Sequence, residues 1–267
     1  MRKLRDRIGP LTADDYLRLA IHSASPTTAA AFAEKGLRGT TEKLDPEVSV
    51  LLLREVFRAH LHARRLRSAH AVARKMVRLG ALPEITHTDL GRACTALGWW
   101  VRAAQAFRIA ARHAPARRRA MHWASVATAL HHAGQSEDAL SALERATRWS
   151  LTTRPLHRAY AALVHLDAGE LPDTIDGLAE ITRDLECARC GEGYGRYVVG
   201  LLYSVQGDDV RAMRHLRHFL RRNLGDPMRE VTLAAEIHRA RKTLRALRVR
   251  AQGTPSTPAP QGTPGVS

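Results

Sequence analysis

A turn that returns at almost constant spacing constrains this chain more than any other feature. Arg64, Gly98, Gly134, Gly169 and Gly207 each fall between two stretches of helical hydrophobic periodicity, 34, 36, 35 and 38 residues apart. The residues after each turn repeat as well. Five places on stand Ala69, Ala103, Ala139, Thr174 and Ala212; nine places on, Ala73, Phe107, Leu143, Leu178 and Leu216; twelve places on, Met76, Ala110, Ala146, Ile181 and Phe219. Gly enters the left-handed region that such a turn often needs without steric penalty. Small residues at fixed offsets let two helix backbones approach closely, and a larger neighbour fills the space beside them. One helix pair alone exposes an apolar face, so a chain that repeats the pair buries each face against the next copy. The pattern predicts an all-α solenoid.

Composition fits that prediction. Apolar residues make up 45% of the 267 and aromatic residues only 5%, so the core is built mainly from Ala and Leu. No stretch alternates Val, Ile and Thr between hairpin turns as strands do. Thr12 followed by Asp14 and Asp15 marks a helix start, with Tyr16, Leu19 and Ala20 on one face. Its partner opens at Ser25-Pro26 and is expected to end at Gly36 and Gly39. Residues 38–45 read as a linker, with Pro46 in the first turn of the next helix. The repeat domain spans 12–251, in units of about 12–39, 46–82, 84–115, 120–151, 155–187 and 193–224. A last amphipathic helix over 227–251, with Ile237, Ala240, Leu244 and Leu247 on one stripe, caps the final unit. The basic lead 1–11 and the Pro/Gly/Thr-rich tail 252–267 read as disordered.

In residues 89–115, Leu90, Gly91, Cys94, Gly98, Ala103, Phe107, Ala110 and Pro115 stand where a tetratricopeptide repeat places Leu-Gly, an apolar residue, Gly, Ala, an aromatic, Ala and Pro. The chain resembles that family most specifically over 84–151 and 193–222. The likeness is looser around Arg64, which lacks the turn Gly, and around Gly169, which has Thr174 for Ala. The resemblance implies a right-handed superhelix of about six helix-turn-helix units, acting as a binding scaffold and not as an enzyme. It also implies that the first helix of each pair lines a concave groove. Groove-facing positions precede each turn by ten, six, three and two residues, which selects Arg54, Arg58, His62, Arg92, Thr128, His131, Tyr197 and Leu201 among others. Such a groove is basic at its N-terminal end and apolar towards its C-terminal end. It suits a protein segment with an acidic or carboxylate-bearing end and apolar anchors. Family members that clamp a C-terminal carboxylate use a Lys–Asn pair on the first inner helix; this chain has Arg54 and Arg58 there and no Asn.

The formal charge is +16, and only Lys3, Lys35, Lys43, Lys75 and Lys242 among the basic residues are not Arg. That field attracts anions of any kind, so an α-solenoid that binds nucleic acid through its Arg-rich surface is the alternative. Few aromatics interleave with the basic clusters at 63–67, 116–120 and 214–222, and a protein partner therefore ranks ahead. Cys187 and Cys190 could share a zinc ion, but a closed site needs two more ligands and no second pair exists; a structural role ranks ahead of zinc binding or thiol chemistry. No metal-protease, P-loop, dinucleotide or nucleophile-elbow motif is present, and no cofactor is expected. The basic N-terminus never reaches an uninterrupted apolar segment, and no run approaches the ~20 apolar residues of a membrane span. A soluble cytoplasmic protein is the expectation.

Overall fold

The computed structural model describes residues 11–39, 44–191 and 193–253. The lead through residue 10, residues 40–43 of the linker and the tail from 254 lie outside them. Among the described residues the chain is a run of fourteen α-helices without a strand. They are α1 (Ala13–Ile21), α2 (Pro26–Arg38), α3 (Pro46–His62), α4 (Leu66–Arg78), α5 (Pro83–Ala96), α6 (Trp100–His113), α7 (Ala116–His132), α8 (Ser136–Trp149), α9 (Arg154–Asp167), α10 (Leu178–Cys187), α11 (Tyr194–Val205), α12 (Asp209–Asn223), α13 (Pro227–Thr232) and α14 (Ala234–Gly253). From α1 to α12 each helix packs on its neighbour in sequence, as a stack of hairpins requires.

The five turns behave as one class. Arg64, Gly98, Gly134, Gly169 and Gly207 have φ of 56°, 72°, 75°, 102° and 80°. At Arg64 a side chain occupies the left-handed region, at a cost of roughly 1 kcal/mol. The offsets hold after four of the five turns, and the nine-residue offset after all five. Ala69, Ala103, Ala139 and Ala212 are fully buried, and Ala73, Phe107, Leu143, Leu178 and Leu216 are all in the core. Gly91 is required by a close approach: a Cβ there would stand 2.6 Å from Cε1 of Phe107.

Three local expectations are corrected. Leu19 is exposed, and the buried face of α1 is Ala13, Leu17 and Ala20. Gly36 does not end α2; it lies inside the helix, where a Cβ would meet Tyr16 at 2.9 Å, and Gly39 is the residue that closes it. Thr174 does not pack between helices either. Pro172 and a left-handed Gly177 divert the chain into a 3₁₀ turn over Pro172–Thr174, so α10 begins only at Leu178 and Thr174 is exposed. The helix starts fare better. Thr12 and Asp15 form a reciprocal capping box, and Asp45 accepts hydrogen bonds from the Glu47 and Val48 amides beside Pro46.

The last two helices do more than cap. α14 rests on α11 and α12, with Ile237, Ala240, Leu244 and Leu247 buried. α13, however, packs on α3 and α5, and Val231 joins the apolar cluster of Val50, Leu53, Phe57 and Leu61. An Arg64–Glu230 ion pair ties the same helix to the first turn. The C-terminal segment thus returns across the face made by α3, α5, α7, α9 and α11, and joins the last helix pair to an early one.

Candidate functional site

That inner face carries the residues expected to line a groove, and the structure sorts them into three groups. At the N-terminal end, Arg54 Nε donates to Asp89 Oδ2 at 2.8 Å and Arg92 Nη1 donates to Asp89 Oδ1 at 3.1 Å. Asp89 is almost fully buried, so two guanidinium groups from successive inner helices share one carboxylate. Arg58 pairs with Glu55 of its own helix at 3.2 Å and stays exposed, as does His62.

In the middle, the Thr128 hydroxyl donates to the Ala124 carbonyl at 3.1 Å. His131 sits with Nδ1 3.0 Å from the Tyr160 hydroxyl and Nε2 2.9 Å from Asp167. At the C-terminal end Tyr197 and Leu201 are buried, at 2% and 3% exposure, which withdraws both from any partner. Tyr197 instead belongs to a chain of ring contacts. Trp100 stacks on His132 at 4.5 Å, His131 meets Tyr160 at 5.5 Å, and Tyr160, Tyr194, Tyr197 and Phe219 follow at 5.9, 5.5 and 5.2 Å.

The residues that organise the inner face from the C-terminal side were not selected from the sequence. Arg239 grips both carboxylate oxygens of Asp167, at 2.6 Å for Nη2 to Oδ1. Burial pushes the Asp167 carboxyl up, but hydrogen bonds from His131 and Arg239 outweigh it and hold the pKa at about 2. The buried Glu236 accepts from the Tyr194 hydroxyl at 3.4 Å and lies 3.2 Å from His132 Nε2. One signal was available: Glu236 is the sole acid in α14, set beside its apolar stripe.

Two open spaces lie against the returning segment. A cleft of about 830 Å³ lies between Arg64, Leu66 and Ala96 on one side and Leu220, Leu224 and α14 on the other. Arg241, Arg245 and Arg248 line it, exposed and without partners among the described residues. A separate cavity of about 620 Å³ lies between α5–α9 and the α13–α14 junction, under Thr232, Leu233 and Glu236.

The cysteines form no disulfide. Cys94 is buried, Cys187 exposed and Cys190 half-buried. Among the described residues no group of three or more His, Cys, Asp or Glu could hold a metal, and His165 meets Glu170 at 2.5 Å. Among them, too, no helix is long and apolar enough to cross a membrane. No protein-family model matches the chain, and no curated protein matches it.

Proposed function

We propose that the chain is a tetratricopeptide-like scaffold, a right-handed superhelix of about six helix pairs. It acts in the cytoplasm by binding an acidic, partly apolar segment of a partner protein and catalyses nothing. The left-handed turns and buried offsets support the repeat reading. The cleft carries the partner reading. Arg241, Arg245 and Arg248 follow the i, i+4, i+7 spacing of one helical face, and they stand over an apolar lining that includes Leu66, Leu220, Leu224 and Leu244. Guanidinium groups hold carboxylates through paired hydrogen bonds, and an apolar floor accepts the intervening side chains. Arg54 and Arg92 are secondary contacts because Asp89 already engages both.

Nucleic acid is the second reading, favoured by the +16 charge. Among the described residues the cleft is lined by no Phe, Tyr or Trp, the platforms on which unpaired bases stack. The test is fluorescence anisotropy with labelled peptides that mix Glu and Leu and with single-stranded RNA of equal charge, at two salt concentrations. The peptides are expected to bind, and the triple variant R241E/R245E/R248E to weaken them by about tenfold or more. That follows from exposed pairs worth up to ~1 kcal/mol each. RNA that binds more tightly than every acidic peptide, or a triple variant without effect, refutes the reading.

A further inference from the structure

The cavity under Leu233 shares no lining residue with the cleft. At about 620 Å³ it has the size of a small-molecule site. Phe107, Leu143, Leu156 and Leu233 make its lining largely apolar, with Trp100 and Trp149 beside them.

Most polar groups on that lining are already engaged. Ser125 donates to the Met121 carbonyl at 3.0 Å, Thr128 to Ala124 at 3.1 Å, and Tyr194 to Glu236 at 3.4 Å. His157 is different. It is 3% exposed, its Nε2 lies 3.3 Å from the Thr153 hydroxyl, and its Nδ1 has no partner among the described residues. A buried ring nitrogen without a partner is rare in native proteins, because the lost hydration is not replaced. His157 also lines the cavity, and because Nδ1 is closed to solvent a ligand there reaches it through a shift of the ring. Ser150, Thr153 and His157 form a relay, with 2.6 Å between the two hydroxyl oxygens. Such a relay can run in either direction, so Nδ1 can offer a proton or a lone pair. Burial pushes the imidazole down to about 4, which keeps it neutral at pH 7.

Charge and surface add two further constraints. Arg92 gives one Nη1 contact to Asp89 and lines the cavity, and the exposed Arg117, without a partner among the described residues, lines it too. The lining also includes the exposed apolar side chains of Met121 and Leu151.

We propose that this cavity binds a small amphipathic organic acid. Its apolar body lodges among the aromatic and aliphatic side chains, its anionic group meets Arg92 and Arg117, and a hydrogen-bonding group meets His157 Nδ1. The probe is 8-anilinonaphthalene-1-sulfonate, which carries an aromatic body, an amine N–H and an anion; decanoate, which has an aliphatic body and an anion but no N–H, is the competitor. Full-length protein that unfolds cooperatively is expected to give saturable one-to-one fluorescence, displaced by decanoate. Arg117→Glu, at an exposed position, weakens both ligands by roughly tenfold. Ala124→Trp, which fills the cavity, abolishes both. His157→Phe weakens the sulfonate several-fold and leaves decanoate unchanged. The proposal is overturned by folded protein that shows no saturable binding, or by affinities indifferent to all three substitutions.

Discussion

Gly91→Ala probes the repeat geometry at its tightest point. A Cβ at position 91 would lie 2.6, 2.7 and 2.8 Å from Cε1, Cδ1 and Cζ of Phe107, where ordinary contact begins at 3.4 Å. The ring therefore has to retreat by most of an ångström. Overpacking of a core costs about 1–3 kcal/mol. Phe107 also lines the 620 Å³ cavity, so it has room to move and the cost falls towards the lower end. Ala gains about 1 kcal/mol over Gly in a helix interior, which nearly offsets the clash and leaves a net change close to zero. The decisive measurement is a double-mutant cycle with Phe107→Val, which removes all three clashing atoms, followed by urea unfolding. In the Phe107→Val background the clash is gone and only the propensity gain remains, so Gly91→Ala becomes stabilising. An equal effect in both backgrounds, within about 0.3 kcal/mol, would show that close approach to Phe107 is not why Gly stands there.

Other positions give equally direct tests. At the left-handed Arg64, both Arg64→Gly and Arg64→Ala lose the tie to Glu230, so the Gly variant should be the more stable by about 1 kcal/mol in urea titrations. His157 has a folded pKa of about 4 against an ordinary 6.5, so the unfolded chain takes up the extra proton and stability falls as pH drops from 6.5 towards 4. His157→Phe removes that loss, worth up to about 3 kcal/mol at pH 4, and flattens the pH profile of thermal unfolding. Asp167, held at about 2 by His131 and Arg239 against the effect of burial, contributes stability above pH 3.8 that is lost as pH falls towards 2. Asp167→Asn should abolish that acid limb, and hydrogen exchange should speed up in α14 because Arg239 loses its carboxylate.

The repeat was legible because its cause is local. A turn with positive φ, a small residue five places later and a larger one at nine are requirements of one helix pair, so they recur wherever the pair recurs. Arg64 makes the point: spacing alone placed a turn there, and the backbone adopts φ 56° without Gly. The fourth marked pair failed in its second helix because Pro172 and Gly177 act within six residues, a local signal that the spacing overrode. The inner face was less legible. Arg54, Arg58, Arg92, Thr128 and His131 all lie on inner helices, but their partners could not be read from a period. Asp89 lies 35 residues from Arg54, and Arg239 lies 72 from Asp167. The return of α13 was invisible for the same reason, since Arg64 and Glu230 are 166 residues apart. Burial of Tyr197 and Leu201 follows from the apolar packing at the C-terminal end, where α11 lies under α14.

Four consecutive residues separate the two spaces. Val231 and Ala234 line the cleft, whereas Thr232 and Leu233 between them line the cavity. The α13–α14 junction is therefore a partition with one ligand-sized space on each side, pinned at one end by Arg64–Glu230 and at the other by Glu236 and Arg239. A partition common to two spaces is an element through which their occupancies can be coupled. Whatever factor an occupant of the cavity imposes on affinity in the cleft, an occupant of the cleft imposes in return.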